Sequence, residues 1–129
     1  MSTSIEPPCR IVATRDANSP LWSFYLINDG GTTIESAELA AVRYEWGDQY
    51  CGGESPAVRV ANLVAGGQAR IWQDDGSSEM RTDLWLRVTH VGQEIVLLFE
   101  FPTLYRQSGT ALVSHPTRMD ALPRALADL

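Results

Sequence analysis

The chain has 129 residues, 44% of them hydrophobic, and its ten basic side chains are all arginine against sixteen acids, for a formal net charge of −6. That length and apolar share describe one domain with a packed core and exclude a disordered chain. The acidic balance excludes a dedicated binder of nucleic acid or of anionic membrane surfaces, whose charges need a basic face, and leaves room for a basic protein partner or a bound cation.

The segment from Met1 to Cys9 has neither a basic start nor an apolar run, so no secretory signal is expected there. No stretch approaches the roughly 18 apolar residues of a membrane helix. The expected location is the cytoplasm, with Cys9 and Cys51 as reduced thiols. The missing lysines read as codon bias in a GC-rich bacterial genome and carry no mechanism.

Arg10 to Arg15 forms a first short strand, closed by the turn residues 16–20. Leu21 to Asn28 forms the second and runs into a glycine turn, Asn28-Asp29-Gly30-Gly31. From 33 to 46 the apolar parity switches: Ala37, Leu39 and Ala41 share one face, while Val42, Tyr44 and Trp46 share the other. A bulge near Ala40 or Ala41 repairs a strand across the switch. The hairpin turn before it favours that strand over the helix that Glu38-Leu39-Ala40-Ala41 prefers on propensity. Tyr50 to Pro56 reads as a loop and Ala57 to Ala61 as a strand. A second glycine turn, Leu63-Val64-Ala65-Gly66-Gly67, leads into the strand from Gln68 to Gln73.

Residues 84–91 and 94–101 form the clearest pair, joined by a tight turn at Gly92-Gln93. A two-residue connection there sets Val91 opposite Glu94, Val88 opposite Leu97, Leu86 opposite Phe99 and Leu84 opposite Phe101. All six apolar partners then line one buried face. Beyond Pro102, residues 110–114 suit an edge strand. Asp120 suits the N-cap of a final helix, in which Leu122, Ala125, Leu126 and Leu129 make one apolar stripe.

These elements describe an all-β chain, an antiparallel β-sandwich of about seven strands with a short C-terminal helix. Over residues 21–101 it resembles bacterial immunoglobulin-like modules of the cell-adhesion-related and fibronectin type III groups. In those families an Asn-x-Gly turn opens a strand pair and a Leu-x-Pro-Gly turn precedes a later strand. The matching residues are Asn28-Asp29-Gly30 and Leu63-Val64-Ala65-Gly66, with Ala65 where a proline is usual. The resemblance implies an immunoglobulin-like topology and a binding or structural role rather than catalysis, and it supplies no site residues.

The leading candidate site is a cluster of tryptophan and arginine. Ala69 and Ile71 share the core-facing parity of their strand, which turns Arg70 and Trp72 outward. Leu84, Leu86 and Val88 do the same in theirs, turning Trp85 and Arg87 outward. If the loop between centres on Ser78, Trp72 lies across from Trp85 and Arg70 across from Arg87, with Glu100 beside Trp85. Tryptophan and arginine dominate binding hot spots, so Arg70, Trp72, Trp85 and Arg87 are the expected recognition surface. Leaving two such rings exposed forgoes on the order of 2 kcal/mol each, so a cover is expected, either the tail from 102 onward or a partner. That partner is another protein or a second copy of the chain, with a carbohydrate or small ligand stacking on Trp72 and Trp85 as the alternative.

Catalytic signals are sparse. Cys51 sits in a glycine-rich loop that suits a nucleophile, yet only His90 and His115 are available as its base, and nothing fixes either near it. His90 falls on the core-facing parity of its strand and reads as a structural residue. The segment from Asp74 to Glu79 is rich in oxygen ligands without the alternating order of a calcium loop, and the cysteines and histidines lack zinc spacing. No phosphate-binding glycine loop and no nucleophile elbow occur. The expectation is a non-catalytic module without a metal or cofactor.

Overall fold

The computed structural model describes residues 9–15, 18, 21–46, 49–53, 58–74, 81–102 and 111–122. Ten strands run in chain order: β1 (Cys9–Thr14), β2 (Trp22–Asn28), β3 (Ile34–Trp46), β4 (Gln49–Gly53), β5 (Arg59–Leu63), β6 (Gln68–Asp74), β7 (Arg81–His90), β8 (Gln93–Phe101), β9 (Ala111–Ser114) and β10 (Thr117–Met119). They form two antiparallel sheets, one of four strands ordered β6-β2-β1-β9 and one of six ordered β10-β8-β7-β3-β4, with β5 also on β3. The stretch read as a loop after Tyr50 therefore contains a strand, β4, which pairs with the second half of β3 from Trp46↔Gln49 to Val42↔Gly53.

Alternation builds the core. In β1 and β2 every second residue is buried, and Ile11, Trp22, Phe24 and Leu26 are fully sequestered. They meet Leu84, Leu86, Leu97, Phe99 and Phe101 of the other sheet in a single cluster. Phe24 and Phe101 join the layers directly, edge to face, with centroids 5.0 Å apart. Each such side chain contributes about 1.5–3 kcal/mol on burial, so one shared core holds both sheets together.

Two irregularities make β3 fit. Its pairing with β7 shifts between Leu39 and Ala41, so Ala40 is the extra residue. Leu39 lies inward before it and Val42 inward after it, which is the repair the changing parity calls for. The second shift, between Ile34 and Ser36, leaves Glu35 out of the ladder. The Glu35 carboxylate accepts the Gly92 amide at 3.0 Å and steadies the β7–β8 turn.

That turn lies one residue earlier than the sequence implies. Val91 and Gly92 are its two central residues, at φ 51° and 72°, and His90 pairs with Gln93, Leu86 with Leu97, and Leu84 with Phe99. Both central residues of a type I′ turn need positive φ, which a β-branched valine resists. The offset is two residues along β8, so every side chain keeps its face. Leu84, Leu86, Val88, Leu97, Phe99 and Phe101 are all buried, as expected.

β9 forms on β1 at the edge of the four-stranded sheet, and the chain then crosses at His115-Pro116 to place β10 on β8 in the other. No helix occurs among the described residues, and none therefore is long and apolar enough to cross a membrane. Asp120 to Leu122 are not helical, and residues 123–129 of the expected helix lie outside the described residues, as do 75–79 of the acidic loop.

Candidate binding site at the free edge of β6

The four tryptophan and arginine residues singled out in the sequence do not come together. β6 pairs with β2 in one sheet, whereas β7 pairs with β3 and β8 in the other. The hairpin that would set Trp72 opposite Trp85 and Arg70 opposite Arg87 does not form, because the chain changes sheets between 74 and 81.

Trp72 is also turned the other way. The β2–β6 pairing shifts at one point: Tyr25 faces Arg70, Phe24 faces Trp72, and Ile71 is the extra residue. This bulge reverses the parity, so Trp72 shares the inner face with Phe24 while Arg70 stays outward and exposed. Ile71 is buried at 2%, and Trp72 packs half-buried against the core.

Trp85 does point outward from the six-stranded sheet, opposite in parity to Leu84 and Leu86. It is nonetheless only 6% exposed. Its neighbour on β8 is Leu98, and Glu100 sits beside Asp83 instead. Arg87 is held between two carboxylates, Glu38 at 3.5 Å and Glu94 at 3.4 Å. On the other side of Trp85, Arg81 bonds Asp83 at 3.1 and 3.2 Å and approaches Glu100 at 3.6 Å. This outer face is an ion-pair ladder around one buried ring, with Arg81 and Arg87 already paired to carboxylates.

The unmatched chemistry lies along β6. In the four-stranded sheet β6 is an outer strand, bonded to β2 alone among the described residues. Arg70, exposed, makes no ion pair among the described residues. Beside it, Val58, Arg70, Ile71, Trp72 and Gln73 line an opening of about 300 Å³. Val58 leads into β5, at the margin of the six-stranded sheet, where its carbonyl accepts the Leu39 amide at 2.9 Å. The opening is thus the mouth between the two sheets. The indole Nε1–H of Trp72 is shielded from solvent without an acceptor, as is that of Trp85 in the other sheet. A buried donor left unpaired costs about 1–3 kcal/mol, so what distinguishes Trp72 is its place beside an open strand edge.

At its start β6 is closed. Asn28, at the end of β2, is fully buried. Its amide Nδ2 donates to the carbonyls of Thr32 at 2.8 Å and Leu63 at 2.9 Å, and Oδ1 accepts from the Gly30 amide at 3.0 Å. Its main chain exchanges bonds with the second glycine turn, donating to Gly67 at 3.0 Å and accepting from Gly66 at 2.8 Å. In that turn Gly67 donates to Val64 at 2.8 Å, and Gly66 takes the φ of 76° that the third position of a type II turn requires. A Cβ on Gly67 would lie 2.9 Å from the Val64 carbonyl oxygen. The two glycine turns therefore form a single knot around one asparagine.

Among the described residues, the cysteines and His90 stand in separate places. Cys9, buried opposite Asn28, has its thiol pushed up to about 12 from 9.0, chiefly by burial and secondarily by the Asp29 charge. A thiol so raised is a poor nucleophile. Cys51 lies on β4 opposite Tyr44, and its side chain falls outside the described residues. His90 is buried and bonds Thr32 Oγ1 through Nε2 at 2.8 Å. No protein-family model matches this chain, and neither a curated protein nor a solved structure matches it.

The sequence flagged Arg70 and Trp72 but missed Val58, Ile71 and Gln73. The one available signal was the adjacent pair Ile71-Trp72, two large apolar residues in succession where strict alternation allows one.

Proposed function

We propose that the chain is a non-catalytic β-sandwich module, immunoglobulin-like in topology, that associates with other proteins through the free edge of β6. The neighbour order β6-β2-β1 in one sheet and β3-β7-β8 in the other supports that topology, since it corresponds to the E-B-A and C-F-G orders of such domains. The observation that carries the binding reading is the free edge of β6, which has no strand partner among the described residues. Such an edge presents a row of free amides and carbonyls, and natural sheets normally cover it. Here it borders an opening lined by both apolar and polar side chains, with a partly buried tryptophan among them, the type of anchor that dominates interfaces.

Selection of a random displayed peptide library on the purified protein tests this. Enriched ligands are expected to bind the wild type with micromolar Kd and to lose at least tenfold in affinity to Trp72→Ala at an unchanged fold, the scale of one anchoring side chain. No enrichment over a blocked surface, or equal binding by the variant, refutes the assignment.

A further inference from the structure

Resting on the binding role just assigned, we infer that the ligand is an extended acidic segment of a partner protein that adds to β6 as a fifth strand of the four-stranded sheet. Strand addition needs edge groups that are not already bonded. Among the described residues Gln68 to Gln73 have only β2 as a strand partner, and none of them makes an unprinted contact elsewhere. The side chains of β6 then dictate those of the guest. Cross-strand neighbours share a face, and successive residues of a strand alternate between faces.

On the outer face Arg70 is exposed and unpaired, in a chain of net charge −6 whose Arg10, Arg81 and Arg87 are all bound to carboxylates. A guest residue opposite Arg70 is therefore a carboxylate. On the inner face Trp72 borders the opening of about 300 Å³ with Val58 and Ile71, so the guest residue beside it is apolar and fills the mouth. The bulge at Ile71 is what puts these two demands on opposite faces. A partner strand that alternates acidic and apolar residues meets both. Backbone bonds then supply affinity and the two side-chain positions supply choice, as in other strand-addition complexes.

A second copy of the chain fits less well, because each copy would bring six net negative charges and an identical unpaired arginine to the shared edge.

The test uses two short strand peptides, one alternating valine with glutamate and one alternating valine with lysine, titrated against the full chain by fluorescence anisotropy. The glutamate peptide is expected to bind and the lysine peptide to bind at least tenfold more weakly. Arg70→Glu should invert that order, since a cross-strand pair changes from attraction to repulsion. N-methylation of alternate backbone amides on the β6-facing side should weaken the glutamate peptide about tenfold or more, while methylation of the other amides should not. Preference for the lysine peptide, or indifference to N-methylation, overturns strand addition by an acidic segment. Library-selected ligands that bind at Trp72 while both strand peptides fail would overturn this inference alone and leave the binding role standing. A dimer by light scattering that the glutamate peptide dissolves would assign the edge to a second copy instead.

Discussion

The two halves of β6 are finished in opposite ways. Where the strand begins, the fully buried Asn28 fills three hydrogen-bonding positions with its side-chain amide and two more with its main chain, all within 3.0 Å. Where it passes Ile71, the ladder slips, the outer side of the strand has no strand neighbour among the described residues, and the Trp72 indole N–H goes unanswered. Buried polar groups are nearly always satisfied in folded proteins, so the first half is the ordinary case and the second needs a reason. Hydrogen bonding is complete at one end of the strand and incomplete at the other, and the proposed binding role belongs to the second end alone. The knot fixes the register of β6 against β2, and that fixed register lets the far half stay open without unravelling.

The largest expected effect comes from cutting the knot. Asn28→Ala leaves the carbonyls of Thr32 and Leu63 and the amide of Gly30 without their partner, the Leu63 carbonyl in a buried setting and the other two in part-buried ones. At about 1 kcal/mol for each lost bond, stability should fall by roughly 2–4 kcal/mol, and the melting temperature by on the order of 10 °C. Thermal unfolding by circular dichroism measures this. A loss below about 1 kcal/mol would show that the two glycine turns hold themselves and that the two ends of β6 are not distinct.

The next effect sharpens the same contrast through pH. Cys9 stands opposite Asn28 at the closed end, its thiol raised from 9.0 to about 12 by burial and by Asp29. The neutral thiol is the form the fold favours, and the unfolded chain ionises first. Its contribution is therefore complete below pH 9 and is lost as pH rises from 9 toward 12, by up to about 1.4 kcal/mol per pH unit. Compared with Cys9→Ala, whose unfolding lacks this term, the wild type should lose more stability in urea between pH 9 and 10.5. Parallel curves for the two proteins would mean that water reaches the thiol and that the closed end is looser than its bonds imply.

How much of this was legible in the chain follows from where local and tertiary signals agree. The bulge at Ala40 could be read because apolar parity changes within a strand whose preceding turn is explicit. The bulge at Ile71 is harder to read, because Ala69 and Ile71 already satisfy a regular strand and the adjacent pair Ile71-Trp72 hints at the slip that the pairing with β2 locates. The supposed β6–β7 hairpin rested on sequence adjacency, which predicts pairing only about two-thirds of the time, and here the chain changes sheets. The turn at Val91-Gly92 was placed late because local rules keep valine out of positive φ; the bond from Gly92 to Glu35, 57 residues away in sequence, was invisible to them. Both glycine turns were read correctly as turns, yet their union through Asn28 is a tertiary fact. For the site, two of five lining residues were named, with one of the two facing the wrong way.

The smallest expected effect is the one that most directly probes the open end. Trp72→Phe removes the shielded indole N–H that has no acceptor, and with it about 1 kcal/mol of desolvation cost. It also removes part of a ring that packs half-buried on the core, a loss of similar size at about 25 cal/mol per Å². The two changes oppose each other, so stability should move by less than about 1 kcal/mol in either direction. Guanidinium unfolding with an unchanged m-value is the measurement. A loss above about 2 kcal/mol would show that Trp72 locks the core as Phe24 does, and that the mouth is an imperfectly closed margin with no capacity to adapt to a guest. A near-neutral result places the cost of the unpaired donor in balance with packing. That balance is what a surface shaped for a ligand requires, because a side chain already optimised for the free state has little left to gain on binding.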